Sequence, residues 1–184
     1  PYRVLYVSII DQYKHQWHLI EAVARLKKQG FPIELHLIGS CDRPALKRMN
    51  EAIQQNFSLG EFVQYHGGLR HNKTLNWYGN VDLFAFPSSC ETFGISLLEA
   101  MASGLPIACS DRGPMPEVLQ DAGIYFNPED PDSIATSLNM LIQDESLRKN
   151  LGSKAFTLSQ AYSLERCTHD TFSLLSSVYK RHFS

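Results

Sequence analysis

The sequence lacks several features that would assign it to a specialised class of protein. No apolar run approaches the ~20 residues that a membrane-spanning helix needs, and no signal peptide is recognisable. The four cysteines include no CxxC pair, so their spacing fits neither a disulfide framework nor a zinc site. We therefore expect reduced thiols and a cytoplasmic location, with peripheral association at the inner membrane face left open.

Neither sign of charge predominates. The 184 residues carry a formal net charge of −2, and the basic stripe typical of a nucleic-acid binder is missing. Apolar content of 43% and charged content of 20% are ordinary for a globular protein. We expect residues 1–184 to form a single domain that binds no nucleic acid. Because the chain opens directly on a strand, without a leader or a starting Met, we also expect it to be one domain of a longer protein.

Strand-like and helix-like patterns alternate along the first two thirds of the chain. Short apolar runs bounded by turn residues predict strands at 3–8, 33–39, 62–66, 83–87, 107–110 and 124–126. Helical stripes lie between them, and beyond residue 130 the pattern predicts helices alone, at about 132–143, 145–160 and 163–181. Four aromatic residues of these last helices are expected in the core: Phe156, Tyr162, Phe172 and Tyr179. The fold class predicted is α/β, a doubly wound, Rossmann-like parallel sheet of about six strands that ends in helices.

In such a sheet, ligands bind outside the carboxyl ends of the strands. The expected ligand-binding rim comprises the segments 8–14, 39–40, 67–70, 88–94 and 111–116. One stretch beside this rim, FPSSCETFGISLLEAMASGLPIACSD at 86–111, holds two carboxylates, Glu91 and Glu99, with seven residues between them. A Phe93-Gly94 bend lies in that interval, and a strand, a glycine turn and a helix N-terminus together form an anion site.

Two acids beside an anion site repel its ligand unless they bind something else. Sugar hydroxyls next to a phosphate would explain them, because a carboxylate accepts hydrogen bonds from both hydroxyls of a vicinal diol. Two simpler interpretations stay open. Glu99 could be a first-turn acid that complements the helix dipole, worth up to ~1 kcal/mol, and Glu91 could be a solvated loop acid.

At this point the chain resembles a known family, the glycosyltransferases group 1 family, retaining enzymes of the GT-B fold that use nucleotide-sugar donors. The family pattern PSxxExFGxxxLEAMAxGxPxxxSD stands here as PSSCETFGISLLEAMASGLPIACSD. The resemblance continues in YKHQWHLIEAVARL, VQYHGGL and DRGPMPEVLQDAGIYFNPEDPDSIA. It covers nearly the whole chain, but only the C-terminal, donor-binding half of the family fold. It therefore implies that the N-terminal acceptor domain is absent from this chain.

The resemblance implies a role for each residue of the motif. Glu99 would accept hydrogen bonds from the ribose hydroxyls of the donor, and Glu91 would hold the hydroxyls of the transferred sugar. The backbone N–H groups of Phe93, Gly94 and Ile95 would approach the sugar and the diphosphate. Glycine permits that close approach, and a helix N-terminus stabilises the charge on a departing diphosphate.

Four further residues follow from the same resemblance. Lys14 matches the basic residue of the first strand–helix loop, which pairs with the donor phosphates, and we predict that it acts with Glu91 in catalysis. The family often has an Arg where this chain has Ser8, so one phosphate contact is missing or supplied elsewhere. Leu69 and Arg70 follow a strand end where family members cradle the nucleotide base, although an ordinary turn is the alternative.

Two patterns that resemble metal sites have simpler interpretations. Asp130-Pro131-Asp132 spells an acid-x-acid triplet, but Pro131 and Asp132 suit the first positions of a helix. His15 and His18 are three residues apart on a predicted helix, with no third ligand nearby, and are expected to be surface histidines. We therefore predict no metal and no cofactor.

The leading hypothesis is the donor-binding domain of a retaining, metal-independent, hexosyl-type glycosyltransferase. It would transfer a sugar from a UDP-, GDP- or ADP-linked donor to a hydroxyl of an acceptor sugar, a lipid-linked glycan or a small molecule. The isolated domain should bind the donor but transfer little sugar. Two alternatives stay open: a nucleotide- or phosphate-binding module without catalysis, and a nucleotide-sugar epimerase or phosphorylase-like enzyme of the same fold. Glu91→Ala in the full-length protein should slow a catalyst and leave a simple binder little changed.

Overall fold

An all-parallel sheet forms the centre of the computed structural model, which describes residues 1–41, 43–56, 58 and 60–183. Its strands are β1 (Tyr2–Val7), β2 (Ile33–Ile38), β3 (Val63–Tyr65), β4 (Leu83–Phe86), β5 (Ile107–Ser110) and β6 (Ile124–Phe126). The six strands lie in the order β3-β2-β1-β4-β5-β6, and each neighbouring pair is parallel. The predicted fold class, strand positions and strand number are confirmed.

An α-helix follows each of the six strands. The helices are α1 (Gln16–Lys28), α2 (Arg43–Gln55), α3 (His71–Tyr78), α4 (Ile95–Ala102), α5 (Met115–Leu119), α6 (Pro131–Gln143), α7 (Glu145–Ser159) and α8 (Leu164–Phe183). A 3₁₀ helix, Gln12–Lys14, precedes α1. The sequence patterns did not predict this 3₁₀ helix or the five-residue α5, because neither is long enough to show helical periodicity.

Burial explains why the strands read as continuous apolar runs. All four residues of β4 and all four of β5 are buried, as expected when helices cover both faces of a parallel sheet. Helix α1 packs against α2 and α6, and α4 packs against α3 and α7. The stripe of Leu19, Ile20 and Val23 in α1 is completely buried, so its helical spacing reflects packing on the sheet.

The strand order places a topological switch point between β1 and β4. From β1 the chain proceeds outward to β2 and β3, and it then returns to the other side of β1 to continue through β4, β5 and β6. The loops that leave β1 and β4 therefore diverge to opposite sides and open a crevice at the carboxyl ends of these strands. Ligands of doubly wound sheets bind at such a crevice.

The helix-start interpretation of Asp130-Pro131-Asp132 is confirmed. The Asp130 side chain caps α6 by accepting a hydrogen bond from the Asp132 N–H group at 2.9 Å, and Pro131 occupies the first turn. The Asp132 carboxylate forms an ion pair with Arg25 of α1. This triplet therefore starts α6 and ties it to α1. Among the residues that the structure describes, no cluster of three or more His, Cys, Asp or Glu side chains could hold a metal ion.

The prediction that the terminal aromatic residues belong to the core is wrong. Phe156, Tyr162, Phe172 and Tyr179 are 49%, 36%, 65% and 64% exposed. Helical spacing identifies an apolar face, but it does not show whether another element covers that face. No described side chain of α8 is fully buried. None of the described helices is both long and apolar enough to cross a membrane.

Candidate functional site

A cavity of about 380 Å³ lies at the switch-point crevice. It is lined by Ser8, Ile9, Lys14, Glu91, Thr92, Phe93, Gly94, Ile95 and Ser96. The predicted site residues among them are Ser8, Lys14, Glu91, Phe93, Gly94 and Ile95. Larger depressions of about 410 Å³ beside α1 and α6 and of about 500 Å³ along α8 lie away from the rim. The cavity at the switch-point crevice is therefore the better candidate for the functional site, because of its position in the fold and the chemistry of its lining.

The N-terminus of α4 forms one wall of this cavity. Gly94 takes the left-handed conformation, with φ of 84°, and no described side chain caps the helix there. A Cβ atom at Gly94 would lie 3.3 Å from Cε of Met115, which packs beneath it. The first N–H groups of α4 therefore keep their hydrogen-bonding capacity for a ligand, and the tight packing under Gly94 fixes where they point.

Lys14 and Glu91 form an ion pair in the wall of the cavity. The two side chains are only 9% and 15% exposed. Lys14 ends the 3₁₀ helix after β1, whereas Glu91 belongs to the loop after β4, so the ion pair bridges the two sides of the switch point. The cation and the acid that sequence reasoning predicted for catalysis are therefore direct partners.

Several hydrogen bonds hold the Lys14 segment in place. The Tyr6 hydroxyl donates to the Lys14 carbonyl oxygen at 3.1 Å, and the Ser89 N–H group donates to the Tyr13 carbonyl oxygen at 2.8 Å. Burial raises the pKa of Tyr6 well above its usual value, so its hydroxyl remains a donor. These bonds join the backbone beside Lys14 to β1 and to the loop that carries Glu91.

His15 contributes to the same connection, and the prediction that it is a surface histidine is wrong. It is 7% exposed, its Nε2 atom lies 2.8 Å from Ser89 Oγ, and its ring stacks on His18 at 5.2 Å between centroids. Burial, followed by the nearby His18, lowers its pKa below the usual value. Its φ of 52° turns the chain from the 3₁₀ helix into α1, and this tight junction explains its burial.

Glu99 lies on the same helix as Gly94, outside the lining of the cavity. It is the fifth residue of α4, so the interpretation as a first-turn acid that complements the helix dipole is wrong. The buried Tyr78 hydroxyl donates to Glu99 Oε2 at 2.8 Å, and His71 Nε2 lies 2.7 Å from Glu99 Oε1. Both partners belong to α3. The Glu99 side chain retains 19% exposure, so ligands can reach it.

Leu69 and Arg70 lie in the turn that leads into α3. Leu69 is half-buried against the core, and Arg70 is exposed at the N-terminal cap of α3. Neither lines the cavity, but the next residue, His71, contacts Glu99. The turn is therefore adjacent along the chain to the Glu99 end of the site, and contact with a nucleotide base stays a prediction.

Sequence reasoning missed several residues that support the site. Tyr78 belongs to a short helix and was not among the predicted site residues. A buried tyrosine nevertheless needs a hydrogen-bond partner, and this requirement could have pointed to a nearby acid. His71, Ser89 and Met115 gave no signal, because their contacts join segments far apart in the chain. Tyr162 packs edge-on against Phe93 with 5.4 Å between ring centroids, so the segment between α7 and α8 contacts the loop that precedes α4.

With this geometry in place, the chain can be compared with known proteins. A family model described as glycosyl transferases group 1 matches residues 1–157. The chain belongs to this family. The O-antigen chain mannosyltransferase B of Escherichia coli is 33% identical over 110 residues, which is 60% of this chain and 29% of the relative. The D-inositol 3-phosphate glycosyltransferase of Xylanimonas cellulosilytica is 25% identical over 97% of this chain and 43% of the relative. The chain thus spans less than half the length of these two relatives.

Solved structures confirm the fold. The C-terminal domain of LpcC, a glycosyl transferase group 1 family protein from Francisella tularensis, is 26% identical and superimposes with a TM-score of 0.76, covering 87% of this chain and 85% of that one. HepE of Anabaena, solved with UDP and glucose, is 24% identical with a TM-score of 0.84, over 96% of this chain and 48% of that one. The predicted family and the predicted GT-B type of fold are confirmed.

Proposed function

We propose that this chain is the donor-binding half of a retaining, metal-independent glycosyltransferase. In the proposed reaction, a hexosyl group passes from a nucleotide-diphosphate sugar to an acceptor hydroxyl, and the acceptor-binding half lies elsewhere in a longer protein. One observation carries the proposal: the switch-point cavity joins the Lys14–Glu91 ion pair to the uncapped N-terminus of α4. A nucleotide-diphosphate sugar needs both features, since it presents phosphate charge next to sugar hydroxyls.

Lys14 and the N-terminus of α4 are assigned to the diphosphate. As the bond between the anomeric carbon and the phosphate oxygen breaks, the electron pair leaves on the diphosphate. The Lys14 ammonium and the N–H groups of Gly94 and Ile95 then stabilise the developing charge. The acceptor oxygen attacks the anomeric carbon on the face from which the diphosphate departs, and its proton passes to the leaving phosphate oxygen.

Glu91 and Glu99 are assigned to the hydroxyl groups of the donor. Glu91 lines the cavity, where it would accept hydrogen bonds from the transferred sugar while it keeps its contact with Lys14. Glu99 would accept hydrogen bonds from the ribose. This division gives each acid a ligand with hydroxyl donors and thereby offsets its repulsion of the diphosphate.

UDP is a reasonable first ligand, since HepE was solved with it. We also propose a cytoplasmic site of action, which the four free cysteines support. The acceptor is proposed to be a sugar, a lipid-linked glycan or a small molecule with a free hydroxyl group.

A ligand screen tests the proposal directly. UDP-, GDP- and ADP-sugars are added to the protein in turn, and the free energy of unfolding is followed by thermal denaturation. At a hundredfold excess over its dissociation constant, the true donor should stabilise the protein by about 2.7 kcal/mol. A flat response to all three classes would contradict the proposal.

A second measurement separates a catalyst from a nucleotide-binding module without chemistry. Because Glu91 is paired with Lys14, Glu91→Gln is a milder companion to Glu91→Ala, as it keeps the size and one carbonyl acceptor. In the full-length protein, both changes should lower the rate of sugar transfer while nucleotide binding persists. If the full-length protein transfers no sugar from any bound donor, the module without catalysis is the better interpretation.

A further inference from the structure

The two carboxylate oxygens of Glu99 have partners of very different character. Oε2 accepts a hydrogen bond from Tyr78, whose side chain is 1% exposed. Oε1 contacts His71, whose side chain is 72% exposed. One oxygen is therefore held from inside the protein and the other from the solvent side.

The inner contact is fixed by packing. The Tyr78 ring lies 5.7 Å from the Phe84 ring of β4, between centroids, within the buried core. Its hydroxyl lies 2.8 Å from Glu99 Oε2 and 3.4 Å from the Ser96 carbonyl oxygen. Burial and the adjacent carboxylate raise the pKa of Tyr78, so the hydroxyl keeps its proton. A phenol has a single proton, and the shorter distance indicates that Glu99 receives it.

The outer contact is open to exchange. His71 is the first residue of α3, and most of its ring faces solvent. Replacing it at Oε1 requires only a side-chain rotation at the surface, without movement of the core. Each carboxylate oxygen also has two lone-pair sites, so Oε2 can accept a second hydrogen bond while it remains bonded to Tyr78.

We propose that Tyr78 is a positioning residue that fixes Glu99 for a ribose diol, and that His71 is an exchangeable partner which the ribose hydroxyls displace from Oε1. The inference rests on the proposed function, because it assigns the Glu99 end of the site to a ribonucleotide. It adds a specific division of roles between two side chains of α3.

The test compares ribose recognition rather than affinity alone. Dissociation constants of UDP, GDP and ADP, and of their 2′,3′-dideoxy counterparts, are measured by calorimetry on the full-length protein. The dideoxy ligands keep the base and the diphosphate but cannot donate to Glu99. The ribose preference, which is the dissociation constant of the dideoxy ligand divided by that of the ribonucleotide, therefore reports the Glu99 contact. Glu99→Gln provides the reference, since it removes the charge that accepts the diol.

Tyr78→Phe removes only the hydroxyl and should lower the ribose preference at least fivefold, with dideoxy binding unchanged. Tyr125→Phe is the matched control, because the Tyr125 hydroxyl donates to the Gln120 carbonyl oxygen at 2.6 Å and Tyr125 belongs to the edge strand β6. The control should leave the ribose preference as it is in the unmodified protein. His71→Ala should leave ribonucleotide binding unchanged or strengthen it.

Each other outcome has a distinct meaning. If the unmodified protein binds none of the three diphosphates, the proposed function fails. If the protein binds them but Tyr78→Phe weakens ribo and dideoxy ligands equally, Tyr78 is only structural and the positioning role is overturned. A tenfold loss of ribonucleotide affinity in His71→Ala would overturn the proposal that the ribose displaces His71 from Glu99.

Should Tyr78→Phe fail to fold, Glu99→Asp replaces it. The aspartate keeps the charge but is one methylene shorter, so it cannot reach the Tyr78 hydroxyl and the ribose together. We expect it to lose the ribose preference at least fivefold. Retention of that preference would overturn the positioning role.

Discussion

The Lys14 ammonium and the Glu91 carboxylate neutralise each other in the wall of the switch-point cavity. The cation assigned to the diphosphate is therefore occupied before any donor arrives. Donor binding has to share this contact, and sharing it is favourable only if Glu91 gains hydroxyl partners from the sugar. Under the proposed function, the ion pair thus favours a nucleotide sugar over a bare nucleotide.

Glu91→Gln should strengthen the binding of nucleotides that carry no sugar. The change removes a negative charge beside the diphosphate and releases Lys14, so the dissociation constant of UDP or GDP should fall about 3- to 10-fold, or ~1 kcal/mol. Calorimetry measures this directly. Asp121→Asn is the matched control, because Asp121 pairs with Lys154 at the surface, and it should have no effect. Weaker UDP and GDP binding by Glu91→Gln would contradict the assigned roles.

Ser8→Arg should also strengthen diphosphate binding. Ser8 lines the cavity beside Lys14, and its hydroxyl donates to the neighbouring Ile9 carbonyl oxygen at 2.7 Å. A guanidinium at this position would add a charge-assisted contact with phosphate, with a gain in affinity of about tenfold at low salt. The gain should shrink as salt is added. Ser8→Gln, long but uncharged, is the control, and an equal gain with Gln would exclude a phosphate contact.

Gly94→Ala should impair both stability and nucleotide binding. A residue with a side chain at φ of 84° is strained by about 1–2 kcal/mol, and its Cβ would press on Met115. Gly30→Ala provides a matched control, because Gly30 has φ of 91° but no atom within 4 Å of the added Cβ. Urea unfolding should show a loss of stability in both variants, whereas calorimetry should show weaker nucleotide binding only in Gly94→Ala. Unchanged binding in Gly94→Ala would remove the α4 N-terminus from the proposed site.

Stability should fall in mild acid through His36. Burial, followed by the nearby His66, lowers the pKa of His36 below its usual value, against the smaller opposing effect of Glu34. The unfolded chain therefore takes up a proton near the usual pKa of about 6.5, and the folded chain does so only at lower pH. The contribution of neutral His36 to the free energy of unfolding is fully present above about pH 6.5. It is lost as the pH falls through the folded-state pKa.

Urea unfolding between about pH 7.5 and 5 measures this slope. His36→Phe keeps an aromatic ring against Trp77, which lies 4.9 Å from His36 between centroids, and it should flatten the slope. The matched control His169→Phe changes a histidine that is exposed on α8 and should leave it unchanged. An identical slope in His36→Phe and the unmodified protein would contradict the expectation.

Local patterns were sufficient to predict the strands, the longer helices and the rim that carries Gly94, because each depends on residues close together in the sequence. The partners of the acids were not predictable in this way. Lys14 and Glu91 are 77 residues apart, and Tyr78 and Glu99 are 21 apart. The first contact arises only when β1 pairs with β4, and the second only when α3 packs against α4. The predicted burial of Phe172 was wrong, because helical spacing alone cannot show whether another element covers an apolar face.

Helix α3, whose residues His71 and Tyr78 contact Glu99 of α4, also contains a natural fluorophore. Trp77 precedes Tyr78 on α3 and lies 4.3 Å from His66, between ring centroids, whereas the other tryptophan, Trp17, is buried in α1 beneath Arg48. Only one of the two indoles in the sequence is therefore attached to the element whose first residue contacts the proposed ribose site. Replacing Trp17 with Phe would leave Trp77 of α3 as the one tryptophan of these 184 residues. Ligand-induced changes in that helix could then be followed in this domain by tryptophan emission, in real time and without a label.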